Sequence, residues 1–164
     1  MIIEKELIIN KSIDNAWQIL GHGFADVHIW ASVVNHSAGS GNTFNGASCS
    51  ERGCDIAGMG KMKEKLLQFS NEQYSLCYEY SEGVPSMVKY ATNTWMLTSL
   101  GQDKTKLNMK MDITLGGLIG MIMQPMMKLK MSKMGNTLIK DFKYYVENGR
   151  PSEAKIKAMK KYKG

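Results

Sequence analysis

Gly116-Gly117-Leu118-Ile119-Gly120-Met121-Ile122-Met123-Gln124-Pro125-Met126-Met127 reads as the opening of the chain's last helix and leads into a long amphipathic run that ends at Glu147. A helix that is apolar nearly all round must be enclosed. Methionine fills irregular spaces and adapts to varied partners better than other apolar residues. Most of the chain before this segment reads as short strands. The expectation is a Met-rich helix held by a sheet, with a pliable apolar cavity between the two layers.

Beyond Met127, the residues Met131, Met134, Leu138, Phe142 and Tyr145 recur at steps of three and four, opposite Lys128, Lys133, Lys140 and Lys143. That is the pattern of an amphipathic helix laid on a sheet. Pro125 removes a backbone donor and clashes with the preceding turn. The sequence therefore predicts that the regular helix begins at Pro125 or kinks there. Gly116, Gly117 and Gly120 leave two readings of 116–124 open: a mobile gate over the cavity, or a rigid loop closing the core. Asn148-Gly149 followed by Arg150-Pro151 marks the stop.

Upstream, Ile2, Leu7, Ile8 and Ile9 predict a strand, and Ser12 is placed as the N-cap of a helix from Ile13 whose Ile13, Trp17 and Leu20 face the core. Gly21 and Gly23 end it, and a second short helix follows over 24–30. Val33-Val34 suggests a strand, and Ser37–Asn42 reads as a loop. Five further strand-like runs are expected near 47–53, 60–69, 73–80, 88–100 and 105–115, joined by turns that suit an antiparallel meander. In the last of these, Leu107, Met109, Met111 and Ile113 share the inward side. Tyr74, Leu76, Tyr78 and Tyr80 line one face of another.

The chain has 164 residues, of which 43% are hydrophobic, enough for one domain with one core. Residues 1–149 are read as that domain and 150–164 as a basic, poorly ordered tail. The N-terminus lacks the basic start and apolar stretch of a secretory signal, and 118–127 is too short to cross a bilayer, so a cytoplasmic location is expected. Cys49, Cys54 and Cys77 are expected to be free thiols. The net charge is +6, and from Lys128 onward eleven Lys and Arg face three Asp and Glu. These charges do not interleave with aromatics, so nucleic acid is not an expected partner. Peripheral contact with an anionic membrane stays open.

Ile8-Ile9-Asn10-Lys11-Ser12-Ile13-Asp14-Asn15-Ala16-Trp17-Gln18-Ile19-Leu20 resembles the opening "strand, then P/S-hydrophobic-x-x-V/A-W-x-x-L" of the SRPBCC superfamily, the START-like and polyketide cyclase/dehydrase group. Phe24-Ala25-Asp26-Val27-His28-Ile29-Trp30 is similar to that family's second helix. Asn45-Gly46-Ala47-Ser48-Cys49-Ser50-Glu51-Arg52 resembles its "G-x-x-R" strand, and the Trp95 strand with Gly-Gly-Leu-Ile-Gly resembles its approach to the last helix. The resemblance spans roughly residues 2–147. It implies an α+β helix-grip fold, with a curved antiparallel sheet of about seven strands around a long C-terminal helix and two short helices after strand 1. It also implies a deep cavity, used across the family for lipids, sterols, quinones, polyketides and hormones. A shared fold does not by itself imply chemistry.

The chain holds no helical His pair, no zinc spacing, no G-x-S-x-G and no phosphate-cradling loop, so neither metal nor cofactor is expected. His28 and His36 are close enough along the chain to meet. Glu51, Arg52, Asp55, Glu79 and Asp112 are the charged strand residues considered for a cavity, with Arg52 matching the family's strand arginine. The residues expected to line the ligand site are Trp30, Arg52, Tyr78, Trp95, Met109, Met111, Leu118, Met121, Ile122, Met126 and Met127. The favoured function is binding of a hydrophobic small molecule or lipid. Two alternatives stand beside it: a polyketide cyclase or dehydratase in which Arg52, Glu51, His28 or a Tyr moves protons, and a module that contacts a protein or membrane through the basic C-terminal helix. The sequence leaves the oligomeric state open.

Overall fold

The computed structural model describes residues 1–162. Seven strands, β1 (Ile2–Ile9), β2 (Val34–Ser40), β3 (Glu51–Ile56), β4 (Gly60–Ser70), β5 (Ser75–Glu82), β6 (Val88–Gly101) and β7 (Lys104–Leu115), form one sheet in the order β1-β7-β6-β5-β4-β3-β2. Every neighbouring pair is antiparallel. The helical elements are α1 (Ile13–Trp17), which runs on through a π-helical turn over Gln18–His22, a 3-10 helix (Phe24–Ile29), α2 (Gly117–Asn148) and α3 (Glu153–Lys161). The two short helices carry the chain from β1, at one edge of the sheet, to β2 at the other.

Alternation in the strands decides the concave face. Arg52, Cys54 and Ile56 on β3, Met62, Glu64 and Leu66 on β4, and Ala91, Asn93, Trp95 and Leu97 on β6 are all buried, while their immediate neighbours are more exposed. On β7, Leu107, Met109, Met111 and Ile113 continue the same layer. Ser12 caps α1, accepting from the Asn15 backbone N–H at 3.4 Å. Ser37–Ser40, expected as loop, extends β2 and pairs with β3 in register. Its glycine and serines are poor strand formers, but Ser37 is held by its neighbours: its hydroxyl donates to the Ala25 carbonyl at 2.7 Å. Tertiary pairing overrides propensity there.

Helix α2 crosses the concave face with one stripe inward: Gly120, Met131, Gly135, Leu138, Ile139, Phe142 and Val146. At Gly135 a Cβ would lie 2.9 Å from the Met109 methyl, so glycine lets helix and sheet close together. Gly149 ends the helix in the left-handed region (φ 67°), its N–H reaching the Tyr145 carbonyl at 2.8 Å.

Three sequence expectations are corrected by α2 and α3. Helix α2 begins at Gly117 and runs unbroken through Pro125, so 116–124 is neither a loose gate nor a loop. Pro125 is exposed, and water can serve the carbonyl one turn back that proline leaves without a donor. The Met-rich opening is also not enclosed: Leu118, Ile119, Met121, Ile122 and Met126 are exposed. The described residues form one sheet and one long helix, and none of them covers the outer side of that helix. The third correction is α3, which replaces the expected loose tail over most of its described length; residues 163 and 164 lie outside the described residues. Lys155 is buried and donates to the Val34 carbonyl at 2.7 Å. Asp141 of α2 accepts from the Ser32 N–H at 2.8 Å and the Ser152 hydroxyl at 3.0 Å, so α2, α3 and the start of β2 are stapled together.

Candidate functional site

Two adjoining cavities lie between sheet and α2, with Ile56, Tyr80 and Met134 in the walls of both. The inner one is bounded by Phe24, Trp30, Arg52, Glu64, Tyr78 and Trp95 among others, and has a volume of about 30 Å³. That is room for a water molecule and little more. The outer one, about 230 Å³, lies under residues 127–134 of α2 and is walled by Met59, Met62, Val84, Ala91, Ile113, Met127 and Met131, with Lys130 among its lining residues. An apolar hole of roughly 150 Å³ is enough to take benzene.

The polar groups of the inner cavity come from register. Arg52 on β3 stands opposite Glu64 on β4, Glu64 opposite Tyr80 on β5, and Tyr78 opposite Asn93 on β6. Arg52 Nε donates to Glu64 Oε2 at 2.6 Å, and its Nη2 pairs with the same oxygen. Its Nη1 donates to the Phe24 carbonyl. The guanidinium lies over two neighbouring rings, 4.2 Å from the Phe24 centroid and 5.2 Å from that of Tyr78. Burial works against the Arg52 charge, but Glu64 together with Cys54 and Tyr78 outweighs it and the pKa is raised. Cys54 Sγ is 3.5 Å from Glu64 Oε2, and burial pushes this thiol up to about 12. Burial also raises the phenols of Tyr78 and Tyr80. Asn93 Nδ2 donates to Tyr78 Oη at 3.0 Å.

The result is a balanced ion pair among neutral phenols and a neutral thiol. A thiol held protonated is a poor nucleophile. The indole N–H of Trp30 is buried and has no partner among the described residues. Trp30 packs edge-on against Trp95, with centroids 6.3 Å apart, and against Phe142 at 5.2 Å. These three rings close the space beneath the middle of α2.

The residues expected at the site from sequence divide into three groups. Trp30, Arg52, Tyr78 and Trp95 line the inner cavity, and Met127 lines the outer one. Met109 and Met111 are buried against Gly135, filling the joint between β7 and α2 and facing neither cavity. Leu118, Ile122 and Met126 lie on the outer side of α2, and Met121 is exposed beside Met1 and the end of β7; none of the four lines either cavity. Of the charged candidates, Glu51, Asp55, Glu79 and Asp112 fall in the other phase of their strands and are only partly buried. Glu64 was missed, although its signal was available: it sits between Met62 and Leu66 in the apolar phase of β4, while Lys61, Lys63 and Lys65 take the other. His28 and His36 do meet, with ring centroids 5.6 Å apart, outside both cavities.

A curved antiparallel sheet gripping one long helix, with a cavity between them, has close counterparts among solved structures. A START superfamily protein from Mycobacterium smegmatis matches with a TM-score of 0.73 at 15% identity, covering 89% of this chain and 97% of that one. This is the START-like, helix-grip fold. Norcoclaurine synthase from Thalictrum flavum, in truncated form, matches with a TM-score of 0.71 at 17% identity, over 90% of this chain and 94% of that one. The same enzyme in complex with dopamine and hydroxybenzaldehyde matches with a TM-score of 0.70 at 16% identity, over 89% and 86% of the two chains. At such identities the likeness is one of fold. No protein-family model matches the chain, and no curated protein matches it in sequence.

Proposed function

We propose that this protein binds a compact apolar small molecule between its sheet and α2. The observation that carries the reading is the outer cavity of about 230 Å³ between sheet and α2, walled mainly by methionines and aliphatic side chains. Burying an apolar ligand surface there gains roughly 25 cal/mol per Å². A ligand of one or two rings, or a short acyl chain, matches the size. Norcoclaurine synthase, which shares the fold, was solved with ring compounds of this kind. Lys130 in the outer wall offers a cation to an acidic end group, and in the adjoining inner cavity the Trp30 N–H, without a partner among the described residues, offers a donor to a water.

The groups around the inner cavity favour binding over catalysis. Glu64, the carboxylate at that cavity, is held by the Arg52 guanidinium, with Nε, Nη2 and the Cys54 thiol all meeting its Oε2, so it is paired as a counter-ion. Native mass spectrometry and calorimetry against one-ring and two-ring aromatics, medium-chain fatty acids and quinones provide the test. The expected result is saturable one-to-one binding to at least one class, weakened about tenfold or more by filling the outer cavity. A panel with no binder defeats the reading.

A further inference from the structure

The six most exposed large apolar side chains of the described residues all belong to one stretch of α2: Leu118 (78%), Ile122 (77%), Met121 (70%), Ile119 (67%), Met126 (59%) and Leu129 (58%). They do not scatter. Leu118, Ile122 and Met126 are four apart and Leu129 is seven beyond Ile122, so they share one side of the helix, opposite the stripe that seats on the sheet. Water-facing apolar residues are ordinary singly, but a contiguous ridge marks a contact surface.

Charge narrows what that contact is. From Gly117 to Lys140 the helix carries Lys128, Lys130, Lys133 and Lys140 and no Asp or Glu. Lys128, Lys130 and Lys133 are exposed and flank the ridge at Leu129. Apolar side chains on one face with uncompensated lysines beside them are the features by which a helix lies in the headgroup region of an anionic bilayer. The outer cavity lies next to the C-terminal end of this ridge, since Met127, Lys130, Met131 and Met134 help to wall it. Val84 and Pro85, in the turn between β5 and β6, wall it too.

We propose that the first half of α2 docks this protein on an anionic lipid surface, with Leu118, Ile122, Met126 and Leu129 entering the acyl boundary and Lys128 and Lys133 meeting the headgroups. Docking in this pose sets the mouth of the cavity at the boundary where apolar molecules partition, so cargo moves between bilayer and protein without crossing water. The cargo route rests on the ligand-binding reading; the docking does not. The seat is the opening of α2 rather than α3, because Leu118 and Ile122 are far more exposed than Ile156 and Met159.

The test is co-sedimentation of the full chain with phosphatidylcholine vesicles and with mixed phosphatidylcholine–phosphatidylserine vesicles. The expected result is pelleting with the mixed vesicles, weakened by salt, and little with phosphatidylcholine alone. The triple variant Leu118→Ser/Ile122→Ser/Leu129→Ser loses about tenfold or more of that binding, as does Lys128→Glu/Lys133→Glu. None of these residues lines either cavity, so the variants keep the wild-type melting temperature and ligand uptake. Wild-type protein that stays in the supernatant with mixed vesicles overturns the proposal. So does a dimer in solution that the triple variant converts to monomer with no change in vesicle binding, since a second copy is then the occupant of the ridge. Vesicle binding without any ligand from the panel keeps the docking and removes the cargo.

Discussion

The two ends of the space between sheet and α2 are built from the same strands and the same helix, yet they differ in almost every physical respect. The inner end is nearly solid, packed with rigid rings from Phe24, Trp30, Tyr78 and Trp95 around a buried Arg52–Glu64 pair, with about 30 Å³ left over. The outer end is walled by Met59, Met62, Met127, Met131 and Ala91 and leaves about 230 Å³. Aromatic rings with few rotors can be fitted to one another at high density. Unbranched thioethers around a small alanine specify shape loosely and leave room that a ligand can reshape. The contrast shows how one fold combines a stabilising end with a receptive end.

The largest expected effect comes from breaking the solid end. Glu64→Leu strands a buried guanidinium and is expected to cost ~3–5 kcal/mol in urea denaturation, whereas Arg52→Met/Glu64→Leu recovers most of it because no charge is left unpaired. A loss below ~1 kcal/mol for the single variant means that Arg52 reaches water or another partner once Glu64 is gone, and that the inner end is not solid.

A pair of filling substitutions sharpens the contrast. Val27→Phe, at the inner cavity, is expected to cost ~1–3 kcal/mol by overpacking. Ala91→Leu, which pushes into the outer cavity, is expected to change stability by less than about 1.5 kcal/mol while weakening ligand binding about tenfold or more. Equal costs at the two ends would mean that the outer space is not truly vacant.

The smallest effect concerns pH. Burial, then the neighbouring His36, holds the His28 imidazole below its usual pKa, with Lys155 acting the same way and Asp26 against. A histidine whose folded pKa is depressed binds its proton more readily when unfolded, so stability rises with pH through this range. The melting temperature is expected to fall modestly as pH drops through about 6.5, and His28→Gln to flatten that slope. An unchanged slope in the variant would assign the pH dependence to other groups.

Much of the fold can be read along the chain because it rests on local periods. Alternation in β4 to β7, the Ser12 cap and the Asn148-Gly149 stop each state their element within a few residues. Trp30, Arg52, Tyr78 and Trp95 were also legible as inward groups, being large or charged residues in the buried phase or at the end of a short helix. The β2 segment was not, since its pairing with β3 supplies what Gly and Ser lack in propensity. Nor was the partner of Arg52: Glu64 lies twelve residues on, and only the β3–β4 register brings them face to face.

By itself, then, the sequence determined which faces of the strands are apolar, that a long Met-rich helix comes after them, and that this helix carries surplus positive charge. Only the tertiary structure decided which side of α2 is covered. An amphipathic period tells which residues share a side, but the opening turns are apolar on both, and that ambiguity is resolved by where a single sheet can reach. It reaches Gly120, Met131, Gly135 and Leu138 and leaves Leu118, Ile122 and Leu129 in water.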